Sequence, residues 1–210
     1  MGCWAMRTRN VVIAGVGGQG VILFATALAK AALAIDLDAS ISEIHGMAQR
    51  GGSVISQVRI GGRIYSPTIP EGGADVIVGL EPLEALRALP FSNERTQVIL
   101  NTKAIVPTTA FLKGQKYPEL GEIIKTMERF CARILAIDAF TLARRCGSTK
   151  AQNMVVLGAL AGLGALPIPP EAFEKGIATS VPKSSLELNL EAFRMGMEFT
   201  SSSKGLDITR

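Results

Sequence analysis

The feature that most constrains the fold is a glycine-rich turn near the start of the chain. Residues 10–14 form a short β-branched run, and an Ala/Leu-rich segment, 19–34, follows Gly15 and Gly17. The first run is typical of a buried strand and the second of a helix, so the pattern predicts a strand, a tight turn and a helix. A chain that begins in this way favours an α/β fold, in which helices pack on a sheet.

The same alternation continues along the chain. Further strands are predicted at 39–44, 74–80, 97–101 and 132–137, and further helices at 81–89, 121–130 and 139–145. Residues 53–60 alternate like a strand and precede Gly61-Gly62, which predicts a β-hairpin with 63–66 as its second arm. After residue 153 only helices are predicted, at 153–163, 170–179 and 185–199. Together they predict a Rossmann-like, three-layer α/β fold with a mostly parallel sheet, an inserted β-hairpin and a helical C-terminal third.

Length and composition predict one domain. The 210 residues, 48% of them hydrophobic, supply one sizeable core, and no linker, repeat or low-complexity block divides the chain. We expect a single domain over 10–200, with disordered tails at 1–9 and 201–210. Two apolar segments, 21–35 and 154–166, fall short of the roughly 20 residues of a membrane-spanning helix. They predict buried helices, and no membrane association is expected.

Charge and cysteine patterns exclude several classes of function. The net charge is only +4, the basic residues are mixed with acidic ones, and aromatic residues make up 5% of the chain, so no nucleic-acid surface is predicted. Cys3, Cys131 and Cys146 are far apart and form neither a CxxC pair nor a Cys/His pair, so we expect no metal or cluster site in this chain alone. Cysteines without a disulfide pattern or a secretory signal predict a cytoplasmic protein.

The glycine turn is the first candidate binding site. Gly15, Gly17 and Gly20 satisfy the pattern GxGxxG, and Gly18 and Gln19 lie between them. At a strand-to-helix turn, backbone N–H groups of the helix N-terminus can face an anion such as a phosphate. The glycines could instead serve only the turn and close helix packing, and the pattern alone is weak evidence for a dinucleotide.

A second candidate site follows the second predicted strand. The loop SEIHGMAQRGGSV contains Glu43, His45, Arg50, Gly51 and Gly52. Ligands of open α/β sheets bind beyond the carboxyl ends of the strands, so we expect this loop and the glycine turn to share one edge of the sheet. The Arg50 guanidinium suits a bidentate contact with phosphate or carboxylate, although an ion pair would use the same group.

Glu43 keeps a second function open. It lies near the position where nicotinamide-dinucleotide enzymes carry an acidic residue for the ribose, so a free-standing dinucleotide-binding reductase is the alternative. His45 is the only histidine, and no partner for it is evident in the sequence pattern, so a structural histidine is the simpler interpretation. Glu81 and Glu84 could form an acid–base pair, but the helix dipole also favours acidic residues in a first turn. We therefore assign no catalytic residue.

Several longer motifs resemble one family. They are GVGGQGV (15–21), HGMAQRGGSV (45–54), YSPTIPEGGADVIVGLEPLEALR (65–87), NMVVLGAL (153–160) and PKSSLELNLEAF (182–193). In this order they resemble the small (beta) subunit of indolepyruvate:ferredoxin oxidoreductase, within the gamma-type domain family of pyruvate and ketoisovalerate oxidoreductases. Generic α/β packing does not require AQRGGS followed by YSP and IPEG, so these motifs are more specific than the glycine pattern.

The resemblance implies a subunit of an enzyme complex that is inactive when isolated. In that family an arylpyruvate is oxidatively decarboxylated to an acyl-coenzyme A, with thiamine diphosphate for the decarboxylation and iron–sulfur clusters that pass electrons to ferredoxin. The resemblance places thiamine diphosphate and the clusters in a larger partner subunit. Coenzyme A is then the co-substrate. The resemblance does not fix the residues that bind it, and the hypothesis that the glycine turn or the Arg50 loop contacts its phosphates comes from their anion-suited geometry. A purely structural assembly domain is the third possibility.

Overall fold

A single sheet of seven strands organises the computed structural model, which describes residues 7–46, 51–105, 116–202 and 206–209. The strands are β1 (Arg9–Val16), β2 (Asp38–His45), β3 (Ser53–Gly61), β4 (Val76–Gly79), β5 (Gln97–Asn101), β6 (Arg133–Ile137) and β7 (Leu206–Thr209). The helices are α1 (Val21–Leu33), α2 (Pro82–Arg87), α3 (Leu120–Met127), α4 (Ala139–Arg145), α5 (Gln152–Leu163), α6 (Pro170–Ala178) and α7 (Leu186–Ser201). No helix in these ranges is long and apolar enough to span a membrane.

The strand order is β2-β3-β1-β4-β5-β6-β7. Strands β1, β4, β5 and β6 are parallel, whereas β3 is antiparallel to both its neighbours and β7 is antiparallel to β6. Because β2 is antiparallel to β3, it points the same way as β1. Of the seven strands that the structure describes, five therefore share one direction, but only three of the six neighbouring pairs are parallel. The predicted α/β fold is confirmed, and its sheet is mixed.

The predicted pairing across Gly61-Gly62 is wrong. Residues 63–66 form no strand, and Gly61 is instead the partner of Asp38 at the start of β2. The Asp38 carboxylate accepts a hydrogen bond from the Ile64 N–H at 2.9 Å, which holds the chain in a turn. Since β3 already pairs with β1 on one side and β2 on the other, it has no free edge for a second arm. The antiparallel hairpin of this fold is β2–β3.

Helices cover both faces of the sheet and form two hydrophobic clusters. In β1, Val11 and Ile13 belong to the cluster beneath α1 and α4–α7, whereas Val12 and Ala14 belong to the cluster beneath α2 and α3. All four residues are fully buried, as expected for a central strand with helices on both sides. The predicted three-layer architecture follows from this arrangement.

The helical C-terminal third is held together by very close packing between α5 and α7. An added Cβ on Gly158 would overlap the Phe193 carbonyl, and one on Gly196 would overlap the Val155 carbonyl. Glycine at these two positions therefore allows the backbones of the two helices to touch. The predicted helices at 153–163, 170–179 and 185–199 are confirmed as α5, α6 and α7.

Both ends of the chain differ from the predicted tails. No strand was predicted after residue 153, yet β7 lies within 201–210 and pairs with β6 from Arg133 to Ala136. At the other end Arg9 begins β1, although residues 1–9 were predicted as a tail. Residues 1–6 lie outside the described ranges. The sheet thus extends beyond the predicted domain limits at both ends.

Candidate functional site at the carboxyl edge of the sheet

The strand order creates a crevice between the carboxyl ends of β1 and β4. The chain leaves β1 through α1 on one face of the sheet, and leaves β4 through α2 on the other face. The two connections therefore diverge at this point. Ligands of open α/β sheets bind in such crevices, which makes this edge the first place to look for a site.

The glycine turn borders this crevice. It connects β1 to α1, and its backbone enters the left-handed region at Gly18 (φ 102°) and Gly20 (φ 79°). An added Cβ would meet nothing within 4 Å at Gly18, whereas at Gly20 it would overlap the Asn153 side chain. The turn is therefore open at Gly18 and closely packed at Gly20, so Gly18 is the point where a ligand can approach the backbone.

The N-terminus of α1 is electrostatically suited to an anion. Gly20 is its N-cap, no side chain caps the helix, and its first turn contains no acidic residue. The unpaired N–H groups and the helix dipole together place partial positive charge at this end. An anion bound at this terminus stays a prediction from the sequence.

The second predicted loop reaches the glycine turn through backbone hydrogen bonds. The Gly17 N–H donates to the Gly52 carbonyl at 2.8 Å, and the Gly51 N–H donates to the Gly17 carbonyl at 3.4 Å. Gly51 has a φ of 74°, which favours glycine. The prediction that these two loops share one edge is confirmed. Arg50 precedes Gly51 in the sequence but lies outside the described residues.

Gln19 and Gly15, both within the GxGxxG segment, make contacts that hold the glycine turn in place. The Gln19 carboxamide is buried, accepts from the Val16 N–H at 2.7 Å and donates to the Leu80 carbonyl at 2.8 Å. A Cβ on Gly15 would approach Val21 and Leu80 at 2.9 and 3.1 Å. Gln19 and Gly15 therefore position the turn, which leaves Gly18 as its open, ligand-facing candidate.

Buried amides that the sequence-based reasoning missed tie this edge together. Asn101 at the end of β5 donates to the Leu80 carbonyl at 3.1 Å and accepts from the Ala139 N–H at 3.2 Å. Asn153, in the first turn of α5, donates to the Gly20 carbonyl at 3.2 Å. Their only signal in the sequence is a single asparagine beside an apolar run, in VILN and NMVV.

Glu81 and Glu84 are occupied within the protein. Glu81 is the N-cap of α2, accepts from the N–H groups of Leu83 and Glu84, and also accepts from the Tyr117 hydroxyl at 2.5 Å and the Ile105 N–H at 3.1 Å. Burial, and secondly the Glu81 carboxylate, raise the pKa of Tyr117 above its ordinary range. Glu84 accepts from Ser53 and Arg87, each at 2.5 Å. These contacts favour the structural interpretation over an acid–base pair.

The position of Glu43 argues against a dinucleotide site. Glu43 is an exposed residue of β2, opposite Ser56 of β3, which is in turn opposite Ile13 of β1. In dinucleotide-binding folds the second strand lies directly beside the first. Here β3 intervenes, so Glu43 is two strand spacings, roughly 10 Å, from β1. His45 is the last residue of β2, and its side chain lies outside the described part of the structure.

The cysteines within the described ranges do not fit an iron–sulfur cluster. Cys131 and Cys146 are free and buried, and they belong to the hydrophobic clusters on opposite faces of the sheet. Burial raises the pKa of Cys131 to about 11 and also raises that of Cys146. Iron–sulfur clusters are held by cysteine thiolates, usually four, so two buried cysteines on opposite faces of the sheet do not supply the ligands of one cluster. Within the part of the chain that the structure describes, there is no group of three or more His, Cys, Asp or Glu side chains that could hold a metal ion.

Comparison with known proteins identifies the family. The model of the pyruvate ferredoxin/flavodoxin oxidoreductase family matches residues 10–199. The chain belongs to this family. A relative within it is the indolepyruvate oxidoreductase subunit IorB of Archaeoglobus fulgidus, which is 44% identical over 187 residues, or 89% of this chain and 92% of that subunit. The family predicted from the sequence motifs is thus confirmed.

The chain is also similar to two further oxidoreductase subunits. The keto/oxoacid ferredoxin oxidoreductase gamma subunit of Geobacter sulfurreducens has a TM-score of 0.66 and 26% identity, covering 92% of this chain and 99% of its own. The ketoisovalerate oxidoreductase subunit VorA of Methanothermobacter thermautotrophicus is 29% identical over 90% of this chain, but the match spans only 36% of VorA. The relatives are subunits of oxidoreductase complexes, which supports a subunit role over a free-standing reductase.

Proposed function

We propose that this chain is the small subunit of a cytoplasmic 2-oxoacid:ferredoxin oxidoreductase that acts on an arylpyruvate such as indolepyruvate. The 44% identity to an indolepyruvate oxidoreductase subunit over nearly the whole of both chains carries the choice of substrate. A larger partner subunit would hold thiamine diphosphate and the iron–sulfur clusters, which would supply the decarboxylation and the transfer of electrons to ferredoxin. The chain alone would be inactive.

Within that complex, we assign to this chain the binding of coenzyme A phosphates at the carboxyl edge. The two backbone hydrogen bonds between Gly17 and the Gly51-Gly52 segment carry this proposal, because they bring both candidate loops to the uncapped N-terminus of α1. The open space at Gly18 gives a phosphate access to backbone N–H groups. Since Arg50 directly precedes Gly51, its guanidinium would add a charge-assisted contact.

A second helix N-terminus adds to the positive potential of this site. Helix α5 has no side-chain cap and no acidic residue in its first turn, and its Asn153 contacts the Gly20 carbonyl. The N-terminal ends of α1 and α5 therefore meet beside the glycine turn. Two helix dipoles that converge at one place favour a multiply charged anion over a neutral ligand.

The role of Arg50 can be tested in the assembled complex. Co-expression of the chain with its larger subunit should give viologen reduction that depends on both an arylpyruvate and coenzyme A. Removing a charge-assisted hydrogen bond costs about 1.5–3 kcal/mol, so Arg50→Ala should raise the KM for coenzyme A about ten- to a hundredfold. The KM for the oxoacid should change much less.

Arg95→Ala provides the matched control. Arg95 is exposed and lies in the turn before β5, at the opposite edge of the sheet from the candidate site. Its replacement by alanine changes the net charge by the same amount as Arg50→Ala and leaves the candidate site intact. It should leave both KM values unchanged. An intact Arg50→Ala complex with the wild-type dependence on coenzyme A would refute the phosphate role. A wild-type chain that forms no active complex would refute the subunit assignment itself.

A further inference from the structure

A lysine outside the candidate site lies at the same carboxyl edge of the sheet. Lys103 is exposed and is the second residue after β5, and β5 is parallel to β4, which is parallel to β1. Adjacent strands lie about 4.8 Å apart, so the end of β5 is roughly 10 Å from the end of β1. This edge therefore has the glycine turn at one strand end and Lys103 at another.

The backbone on both sides of Lys103 is held by buried side chains. The Lys103 N–H donates to the Asn101 side chain at 3.4 Å, and the Ile105 N–H donates to the Glu81 carboxylate at 3.1 Å. Asn101 and Glu81 are both buried. Because Glu81 follows β4, residues 101–105 run from the end of β5 back toward the end of β4. Lys103 is therefore an exposed side chain on a fixed segment that approaches the crevice from the β5 side.

The Lys103 ammonium is placed by an aromatic ring instead of a carboxylate. It lies 4.9 Å from the centre of the Phe140 ring, in the first turn of α4, which is a cation–π contact. Among the described residues, no carboxylate forms an ion pair with this ammonium. Asp138, the carboxylate that precedes α4, accepts instead from the N–H and the hydroxyl of Thr141. The positive charge of Lys103 is thus available to an anionic ligand.

The first turn of α5 connects the segment that contains Lys103 to the glycine turn. The Gln152 side chain accepts from Asn101 at 3.2 Å, and Asn153 donates to the Gly20 carbonyl at 3.2 Å. Lys103 is at one end of this connection and the open part of the glycine turn is at the other. A hydrogen bond spans only about 3 Å, so the two ends suit two separate phosphate groups of one ligand.

We propose that Lys103 binds the 3′-phosphate of coenzyme A, while the glycine turn binds its pyrophosphate. This inference rests on the proposed function, because it uses the same co-substrate. Coenzyme A carries these two phosphate groups at different positions of one ribose. A glycine turn that leads into a helix N-terminus suits a pyrophosphate. The 3′-phosphate is a monoester with a charge of about −1.5 to −2 at neutral pH, for which a lysine ammonium is a suitable point charge.

The test compares coenzyme A with 3′-dephospho-coenzyme A in the assembled complex, by viologen reduction with an arylpyruvate. Lys103→Met puts a neutral side chain of similar length in place of the ammonium. It should raise the KM for coenzyme A about tenfold, the effect of losing one charge-assisted hydrogen bond. The KM for dephospho-coenzyme A should be the same in wild type and variant, because the phosphate that Lys103 binds is missing. Lys103→Arg should keep the KM for coenzyme A close to that of the wild type.

Lys125→Met is the matched control. Lys125 is exposed in the last turn of α3, a helix that packs on the opposite face of the sheet from α4. Its replacement should leave the KM values for both forms of the coenzyme unchanged.

The proposal is wrong if Lys103→Met raises the KM for both forms of the coenzyme by the same factor, raises only that for the oxoacid, or changes neither. A folded Lys103→Met chain that no longer assembles would also overturn it, because Lys103 would then belong to a subunit interface. The proposed function would still stand if the wild-type complex is active and Arg50→Ala raises the KM for coenzyme A.

Discussion

At the scale of single residues, the carboxyl edge depends on Glu81. One oxygen of this carboxylate caps α2, and the other accepts from Tyr117 and Ile105, so four donors converge on one side chain. Burial of so polar a group is tolerated only when its hydrogen bonds are satisfied. Through its hydrogen bond to Glu81, the Tyr117 hydroxyl stabilises the folded state by an amount that depends on pH.

We predict that Tyr117→Phe destabilises the protein at neutral pH more than at alkaline pH. The loss of a hydrogen bond to a charged group should lower the free energy of unfolding by about 1.5–3 kcal/mol. Because the folded pKa of Tyr117 is raised above its ordinary value of 10.0, its contribution is complete below that pH and is lost as the pH rises toward the folded pKa. Urea unfolding of the wild type and of Tyr117→Phe should show that the difference between their free energies of unfolding is smaller at about pH 11 than at about pH 8.

Tyr65→Phe, a change to the only other tyrosine, is the control for this measurement. A Tyr117→Phe variant whose stability deficit stays constant or grows above pH 10 would contradict the assigned hydrogen bond.

Some roles at this scale could be predicted from the sequence and others could not. The meeting of the glycine turn with the Gly51-Gly52 segment follows from strand direction alone, since both loops come after strands that point the same way. The contacts of Asn101 and Asn153 could not be predicted, because their partners are backbone carbonyls at Leu80 and Gly20, far away in the sequence. Hydrogen bonds to the backbone leave no complementary side chain to recognise.

At the scale of elements, the contact between α5 and α7 is the closest in the C-terminal third. It depends on Gly158 and Gly196, where a methyl group would overlap backbone carbonyls of the facing helix. Backbone cannot move aside as a flexible side chain does. The two helices would therefore have to separate to accommodate any larger residue.

We predict opposite effects for two glycine-to-alanine changes inside helices. Gly158→Ala in α5 should lower the free energy of unfolding by about 1–3 kcal/mol or more, because overpacking forces the helices apart. Gly121→Ala in α3 has no neighbour within 4 Å and should raise it by up to about 1 kcal/mol through helix propensity. Thermal or urea unfolding of both variants distinguishes the two effects. Equal, small changes in both would show that α5 and α7 are not in backbone contact.

Element boundaries show where sequence patterns are reliable. The strand at 97–101 and the helix at 139–145 were predicted to the residue, because each is a local run ended by a polar residue or glycine. The hairpin at 53–66 failed for a different reason. A Gly-Gly pair permits a turn, but whether strands pair across it depends on which edges are free, and that is a property of the whole sheet.

At the scale of the whole molecule, β7 covers the edge of β6. Residues Ile134 to Ile137 are buried, and the backbone of β7 pairs with most of this strand. An uncovered strand of this kind would offer unpaired N–H and carbonyl groups to another chain. The C-terminal segment therefore protects the sheet although it is short.

We predict that truncation after Ser202 promotes self-association of the isolated chain. Without β7, the apolar strand β6 becomes an exposed edge, which is a recognised site of edge-to-edge pairing. Size-exclusion chromatography with light scattering should show oligomers that increase with concentration, compared with the full chain at the same concentrations. A truncated chain that elutes at the same mass as the full chain throughout would show that β7 has no protective role.

Among the described residues, the two hydrogen bonds that join the glycine turn to the Gly51-Gly52 segment are formed by main-chain atoms. These two hydrogen bonds do not depend on which side chains occupy the positions between Gly46 and Gly51. The chemistry of this stretch can therefore diverge between relatives while its attachment to the scaffold stays the same. A loop transplanted from a relative should therefore retain its anchorage to the glycine turn if Gly51 and Gly52 are kept.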